Sequence, residues 1–208
     1  MAEPAFRNAK YCTTGETKQW LGVTLHRIRA VADIAAFGIT AGTLGGWIEG
    51  EKNLSVSGNA WVSGNAWVYG DAWVYGNAWV SGDAQVYGNA WVYGDAWVYG
   101  DAWVYGDAQV SGNAWVYGNA QVYGRNHLGW VSCVGSENGT LCWFLTKERT
   151  VHVSRGCFSG SLAEFSAAVE ARHGDNAHGQ QYRLLIQFIE LRATEAIASL
   201  PAEEMEAA

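Results

Sequence analysis

Few side chains in this 208-residue chain are grouped in a way that could perform chemistry. HGDNAH places His173, Asp175 and His178 within six positions, a donor set able to hold a metal ion. The same residues have a plainer use. A cationic His173 suits the carbonyl end of one helix, and Asp175 caps the start of the next. Cys157, in RGCFSG, follows Arg155, and a nearby guanidinium favours a thiolate. No base is expected beside it, so a structural thiol is the simpler reading. His152 lies in an alternating stretch and has no special claim. TAGTLGG lacks both the Lys of a phosphate-binding loop and the glycine spacing of a dinucleotide fold. No catalytic residue, metal site or cofactor is expected.

The residues that stand out are tryptophans, twelve of them, and most recur at a fixed spacing. In the frame N/D-A-W/Q-V-Y/S-G, residues 53–124 hold twelve unbroken hexads; NLSVSG, the first, is degenerate and the other eleven fit at every position. GWIEGE, residues 46–51, reads as a further copy displaced by two residues. Within A-W-V-Y the side chains alternate between two faces. Ala and Val point inward, because a narrow interior cannot hold stacked indoles; Trp or Gln and Tyr or Ser point outward. Gly followed by Asn or Asp supplies a bend. Each hexad is a very short strand plus a corner. Antiparallel hairpins would leave no strand between such bends, so a coiled parallel solenoid is the better reading.

Three hexads per coil give about four coils, on the order of 19 Å tall at the spacing of neighbouring strands. Residues eighteen apart then stack. One face carries Trp61, Trp79, Trp97 and Trp115, with Tyr99 and Tyr117 beside the upper pair. A second carries Ser55, Trp73, Trp91 and Gln109. The third carries Trp67, Gln85, Trp103 and Gln121, flanked by Tyr69, Tyr87, Tyr105 and Tyr123. All are expected outside. Stacked rings stabilise each other, but a face of roughly 350 Å² is near the size that marks an interaction site. Self-packing, a homo-oligomeric interface on the all-Trp face, and a ligand or partner surface all remain open. Asp83 and Asp101 fall next to each other on one corner, a mildly repulsive pair.

Lys10 to Thr14 and Thr24 to Val31 read as strands around the turn TGETKQWLG. Residues 1–52 suit the role of an N-terminal β cap over the open end of the solenoid. Composition changes at Arg125. WVSCVG, TLCWFLT and TVHVSRG read as three strands. SLAE opens a helix with a capping box, Gly174 ends it, and a last helix runs from about Gln180 to Ser199 with Tyr182, Leu185, Ile189 and Ile197 on its apolar stripe. Pro201 and the acidic tail are expected to fray. The expected organisation is mainly β: a cap (1–52), a hexapeptide-repeat parallel β-solenoid (53–124) and a small α+β domain (125–208).

The formal charge is −7, and residues 53–124 hold five Asp with no Lys or Arg. That opposes binding to nucleic acid or to an anionic membrane. No secretory signal and no membrane-spanning apolar run is read. Cys12, Cys133, Cys142 and Cys157 form no CxxC pair and read as free thiols. A cytoplasmic location is expected.

The A-x-V alternation with a corner resembles the hexapeptide repeat of left-handed β-helices, which implies that handedness. In acyltransferases of that kind Gly commonly follows the aliphatic residue directly, whereas here Tyr or Ser intervenes, and the repeat has neither the histidine nor the extruded loop such enzymes use. GNAWVYGDAWVYGNAWV is similar to the YdcK-type β-solenoid repeat of bacterial and bacteriophage proteins. The leader KYCTTGETKQWLGVTLHRIRAV and the tail RGCFSGSLAEFSAAVEARHGDNAHGQQYRLLIQFI resemble segments that flank the repeat in phage and prophage proteins. The resemblance implies a phage origin and supplies no catalytic residues. The expected function is non-enzymatic binding of a protein partner, itself or a host protein, such as a component of bacterial defence. A structural virion part, a solenoid acyltransferase and carbohydrate binding on exposed Trp are the alternatives.

Overall fold

The computed structural model describes residues 5–198 and 200. They fall into two compact units divided between Arg125 and Asn126; the acidic tail and Ser199 lie outside the described residues.

The repeat winds into a parallel β-solenoid. Each hexad after NLSVSG contributes a two-residue strand, from Trp61–Val62 to Gln121–Val122, and these strands pair with one another at eighteen positions, as in Trp61↔Trp79, Trp73↔Trp91 and Trp103↔Gln121. Backbone bonds tie the coils together: Trp79 N–H donates to the Ala96 carbonyl at 2.9 Å and Trp97 N–H to that of Ala114 at 2.9 Å. The inward seats behave as their small size demands. Ala60 to Ala120 and Val62 to Val122, at every sixth position, are buried. The corners carry amide-to-carboxylate bonds between coils, such as Asn77 Nδ2 to Asp95 Oδ1 at 3.0 Å and Asn89 Nδ2 to Asp107 Oδ1 at 3.1 Å. Asp83 is met from below by Asn65 Nδ2 at 3.1 Å.

The first coil is longer than the rest. Trp47 pairs with Trp67 and Ile48 with Val68, both twenty residues apart, so GWIEGE is indeed a rung displaced by two. The displacement continues into NLSVSG. Leu54, not Val56, sits under Val74 and is fully buried, while Val56 is exposed. The extra residues are absorbed between Ser55 and Asn59, whose N–H donates to the Gly76 carbonyl in the ordinary frame. Ser55 N–H still bonds Val74, so the expected stacking of Ser55 on Trp73 fails by two positions. Asn53 holds this coil shut: its Nδ2 donates to the Gly70 and Ala72 carbonyls and its Oδ1 accepts from Gly50 N–H.

The leader joins the same sheet. Strands Tyr11–Trp20 and Val23–Ala30 form one long hairpin, and Leu44–Ile48 pairs antiparallel with Val23–Ala30 on one side and parallel with the Trp67 rung on the other. TGETKQWLG is therefore not a turn. Strand pairing runs through it with an irregularity between Thr13 and Thr17, and Leu21 (φ 45°) with Gly22 (φ 83°) makes the two-residue reversal. Two left-handed residues suit the twist of a tight hairpin.

Lys10 and Tyr11 pin the hairpin to the first coil. Lys10 Nζ donates to the Ser55 carbonyl at 2.9 Å, and the Tyr11 hydroxyl to that of Leu54 at 2.7 Å. Burial lowers the Lys10 pKa to about 8 and raises that of Tyr11 to about 12. The folded state thus binds the Lys10 proton less tightly than the unfolded chain, and stability rises as pH climbs from 8 towards 10.5. Tyr11 acts in the opposite sense, but only above pH 10. Between pH 7.5 and 9.5 the wild type should gain about 1–2 kcal/mol relative to Lys10→Met. Urea melts at the two pH values measure the difference.

The second unit is a four-stranded antiparallel sheet, Leu128–Val134, Gly139–Leu145, Val151–Arg155 and Phe158–Ser161, followed by helices α1 (Leu162–His173) and α2 (Ala177–Ala198). Leu141, Trp143, Val153, Phe165, Val169, Tyr182, Ile186 and Ile189 form its core. The fourth strand is the one element that sequence reading leaves out. Ser161 and Glu164 make the expected capping box. Asn176, not Asp175, caps α2, with its Oδ1 accepting from Gly179 N–H at 3.0 Å. Asp175 instead pairs with Arg183 at 3.0 Å.

Candidate binding surface

The sequence directs attention to the all-Trp face, and the structure divides it in two. At the lower end Trp61 is fully buried. The leader strand passes so close that a Cβ on Gly45 would fall 2.9 Å from the Trp61 ring. The expectation that Trp61 points into solvent is thus corrected, because Gly45 of the leader lets backbone lie against the indole. Trp79 is half-covered. Phe37, from the leader, sits 4.8 Å from its ring, and its Nε1–H donates to Ser63 Oγ at 2.7 Å. The aperiodic leader carried no sequence signal for either contact.

Above Phe37 the face is open. Trp97 is 36% and Trp115 45% exposed. Their rings stack at 5.5 Å and 12°, and Tyr99 stacks on Tyr117 at 5.1 Å and 9°. Trp79, Ser81, Trp97, Tyr99 and Trp115 line a shallow depression of about 210 Å³. Burial, and then the neighbouring Tyr117 phenol, push the Tyr99 hydroxyl above its ordinary pKa, so Tyr99 stays a neutral hydrogen-bonding group at physiological pH. Parallel stacking also decides what the surface can offer. Trp97 and Trp115 cover each other's faces, as do Tyr99 and Tyr117, whereas Trp79 meets Trp97 edge-on at 67°; the outward edges carry the positive side of the ring quadrupole and the N–H and O–H groups.

The other two faces repeat the pattern less completely. Trp73 and Trp91 are exposed, with Tyr75 stacked on Trp73 at 4.1 Å and on Tyr93 at 4.8 Å. On the third, Tyr69, Tyr87 and Tyr105 stack at 5.0–5.1 Å, and Trp67 is covered edge-on by Trp20. Lys18 Nζ lies 4.3 Å from the centre of the buried Trp47 ring, a cation–π contact that helps fasten the leader.

The remaining sequence candidates are not assembled into a centre. His173 and His178 lie 5.8 Å apart, ring centre to ring centre, with Asp175 turned to Arg183. Among the described residues no group of three His, Cys, Asp or Glu could hold a metal ion. His152 stacks on Phe144 and meets Ser159 Oγ at 3.0 Å. No helix among the described residues is long and apolar enough to cross a membrane.

These features define a parallel β-solenoid of about four turns whose outer faces carry aromatic ladders. The family described as YdcK Beta solenoid repeat matches residues 56–70, 84–100 and 108–124, all within the repeat. No curated protein matches the chain.

Proposed function

We propose that the chain is a non-enzymatic, phage-type binding protein that engages a protein of its bacterial host, in the cytoplasm, through the open half of the all-Trp face. The observation that carries this is the apolar depression bounded by Trp97, Trp115 and Tyr99 on a segment devoid of Lys, Arg, His and Cys. Such a surface has rigid aromatic anchors of the kind that carry binding energy in protein interfaces. The repeat's likeness to phage and prophage proteins supports the host-directed part of the reading.

Area and charge narrow the partner. One face of roughly 350 Å² on each side falls below the total of about 1,200 Å² that a stable complex buries, so a partner must reach over the corners. Asp95 stands on the corner before this face, and Asp83 and Asp101 on the corner after it. A second copy would bring its own Asp residues there, whereas a basic rim would be attracted. Carbohydrate fits less well, since a sugar needs an open ring face and Trp97 and Trp115 cover each other's facing sides.

Trp97→Ser combined with Trp115→Ser should abolish capture of host proteins from a bacterial lysate while moving the melting temperature little, because both indoles are exposed. Capture by the wild type should also weaken with added salt. Identical proteins retained by variant and wild type would end the proposal. A change in mass by light scattering on the purified variant would show that the face joins copies of this chain instead.

A further inference from the structure

The second unit contains a cleft that the aromatic surface does not involve. It has a volume of about 340 Å³, within the range of small-molecule sites. Phe158, Phe165, Val169 and Tyr182 form an apolar floor, and Arg155, Arg172 and His173 line it with Cys157 at the edge. The two guanidiniums have no carboxylate partner among the described residues, although the unit is acidic and Arg183 takes both Glu170 and Asp175. Arg155 is held in place by donating from Nη2 to the Val134 carbonyl at 2.8 Å, yet its buried Nε has no acceptor. A buried donor without a partner is costly, and a fixed guanidinium offers planar, paired donors suited to an oxyanion. Glu137, exposed, is the carboxylate among the lining residues.

From this geometry we propose that the cleft binds a small organic anion, with its carboxylate or phosphate head on Arg155 and Arg172 and its apolar body on Phe158, Phe165 and Tyr182. Charge and shape argue together. An inorganic anion would leave the aromatic floor wet, and a neutral hydrocarbon would leave both guanidiniums without a counter-charge. The proposal is independent of the solenoid face and of any host partner.

Cys157 provides a local probe, since it is exposed at the cleft while Cys133, also exposed, does not line it. Alkylation of the full chain by iodoacetamide is followed at both thiols by mass spectrometry, at matched ionic strength. Phenyl phosphate and benzoate serve as test anions, with benzyl alcohol as the neutral control. Saturable slowing at Cys157, with Cys133 unaffected, is expected from at least one anion; the stronger protector identifies the preferred head group. Arg172→Gln, at an exposed position, should weaken that protection about tenfold, the size of one lost charge-assisted contact. The proposal fails if neither anion protects Cys157, if benzyl alcohol protects equally, or if Arg172→Gln leaves protection unchanged.

Discussion

Gly82→Ala should lower the stability of the solenoid by about 3 kcal/mol or more, whereas Gly118→Ala should cost only about 1–2 kcal/mol. Both glycines have left-handed backbone, φ +70° and +62°, so both variants carry the strain of placing an L side chain there. Only Gly82 faces a second penalty. A Cβ on it would lie 2.9 Å from the Gly100 nitrogen and 3.1 Å from its oxygen, both backbone atoms of the next coil, while nothing lies within 4 Å of the corresponding point on Gly118. The Gly100 carbonyl accepts the Asp83 N–H at 3.0 Å, so forcing the coils apart also strains an inter-coil bond. Urea midpoints of the two variants separate the cost of conformation from the cost of crowding. Equal midpoints would mean that coil spacing relaxes freely and that glycine serves the bend alone.

Trp61→Ala should cost about 3–5 kcal/mol, comparable to losing a large aromatic from any packed core. A Trp on an open face would cost far less, as expected for Trp115. Trp61 is the largest fully buried side chain among the described residues, with Gly45 of the leader against its ring. Its Nε1–H is buried without an acceptor. Trp61→Phe removes that unsatisfied donor along with some area, and the two effects oppose each other. The phenylalanine variant should therefore stay within about 1.5 kcal/mol of the wild type. Thermal or urea melts decide the matter. A mild Trp61→Ala would show that the leader is not seated on this indole.

Much of this architecture was legible because a period of six is an exacting constraint. Small Ala and Val at alternate positions leave no choice of inward face, and one corner in each hexad leaves little choice of path. The columns of Trp79, Trp97 and Trp115 followed from the eighteen-residue coil. The leader was harder because it has no period. Its Phe37 and Gly45 reach the solenoid through tertiary packing, and nothing local in AAFG or TLGG indicates which ring each will cover. Val56 departs from the frame for a related reason. The hexad frame predicts it inside, but the two extra residues of the first coil place Leu54 there, a larger side chain that fills the seat below Val74. At the start of α2, Asp175 and Asn176 are both suitable caps; the Arg183 side chain draws Asp175 away and leaves the role to Asn176. The cleft beside Cys157 had one visible signal, Arg155 in RGCFSG, but its other wall comes from α1 and needed the fold.

The lengthened first coil has a consequence for how the chain finds its structure. Eleven nearly interchangeable hexads could wind with any one starting the spiral, and slips by whole turns would look alike to the core. Trp47 and Leu54, spaced by twenty instead of eighteen, fit only beneath Trp67 and Val74. The leader thus sets the origin of the count.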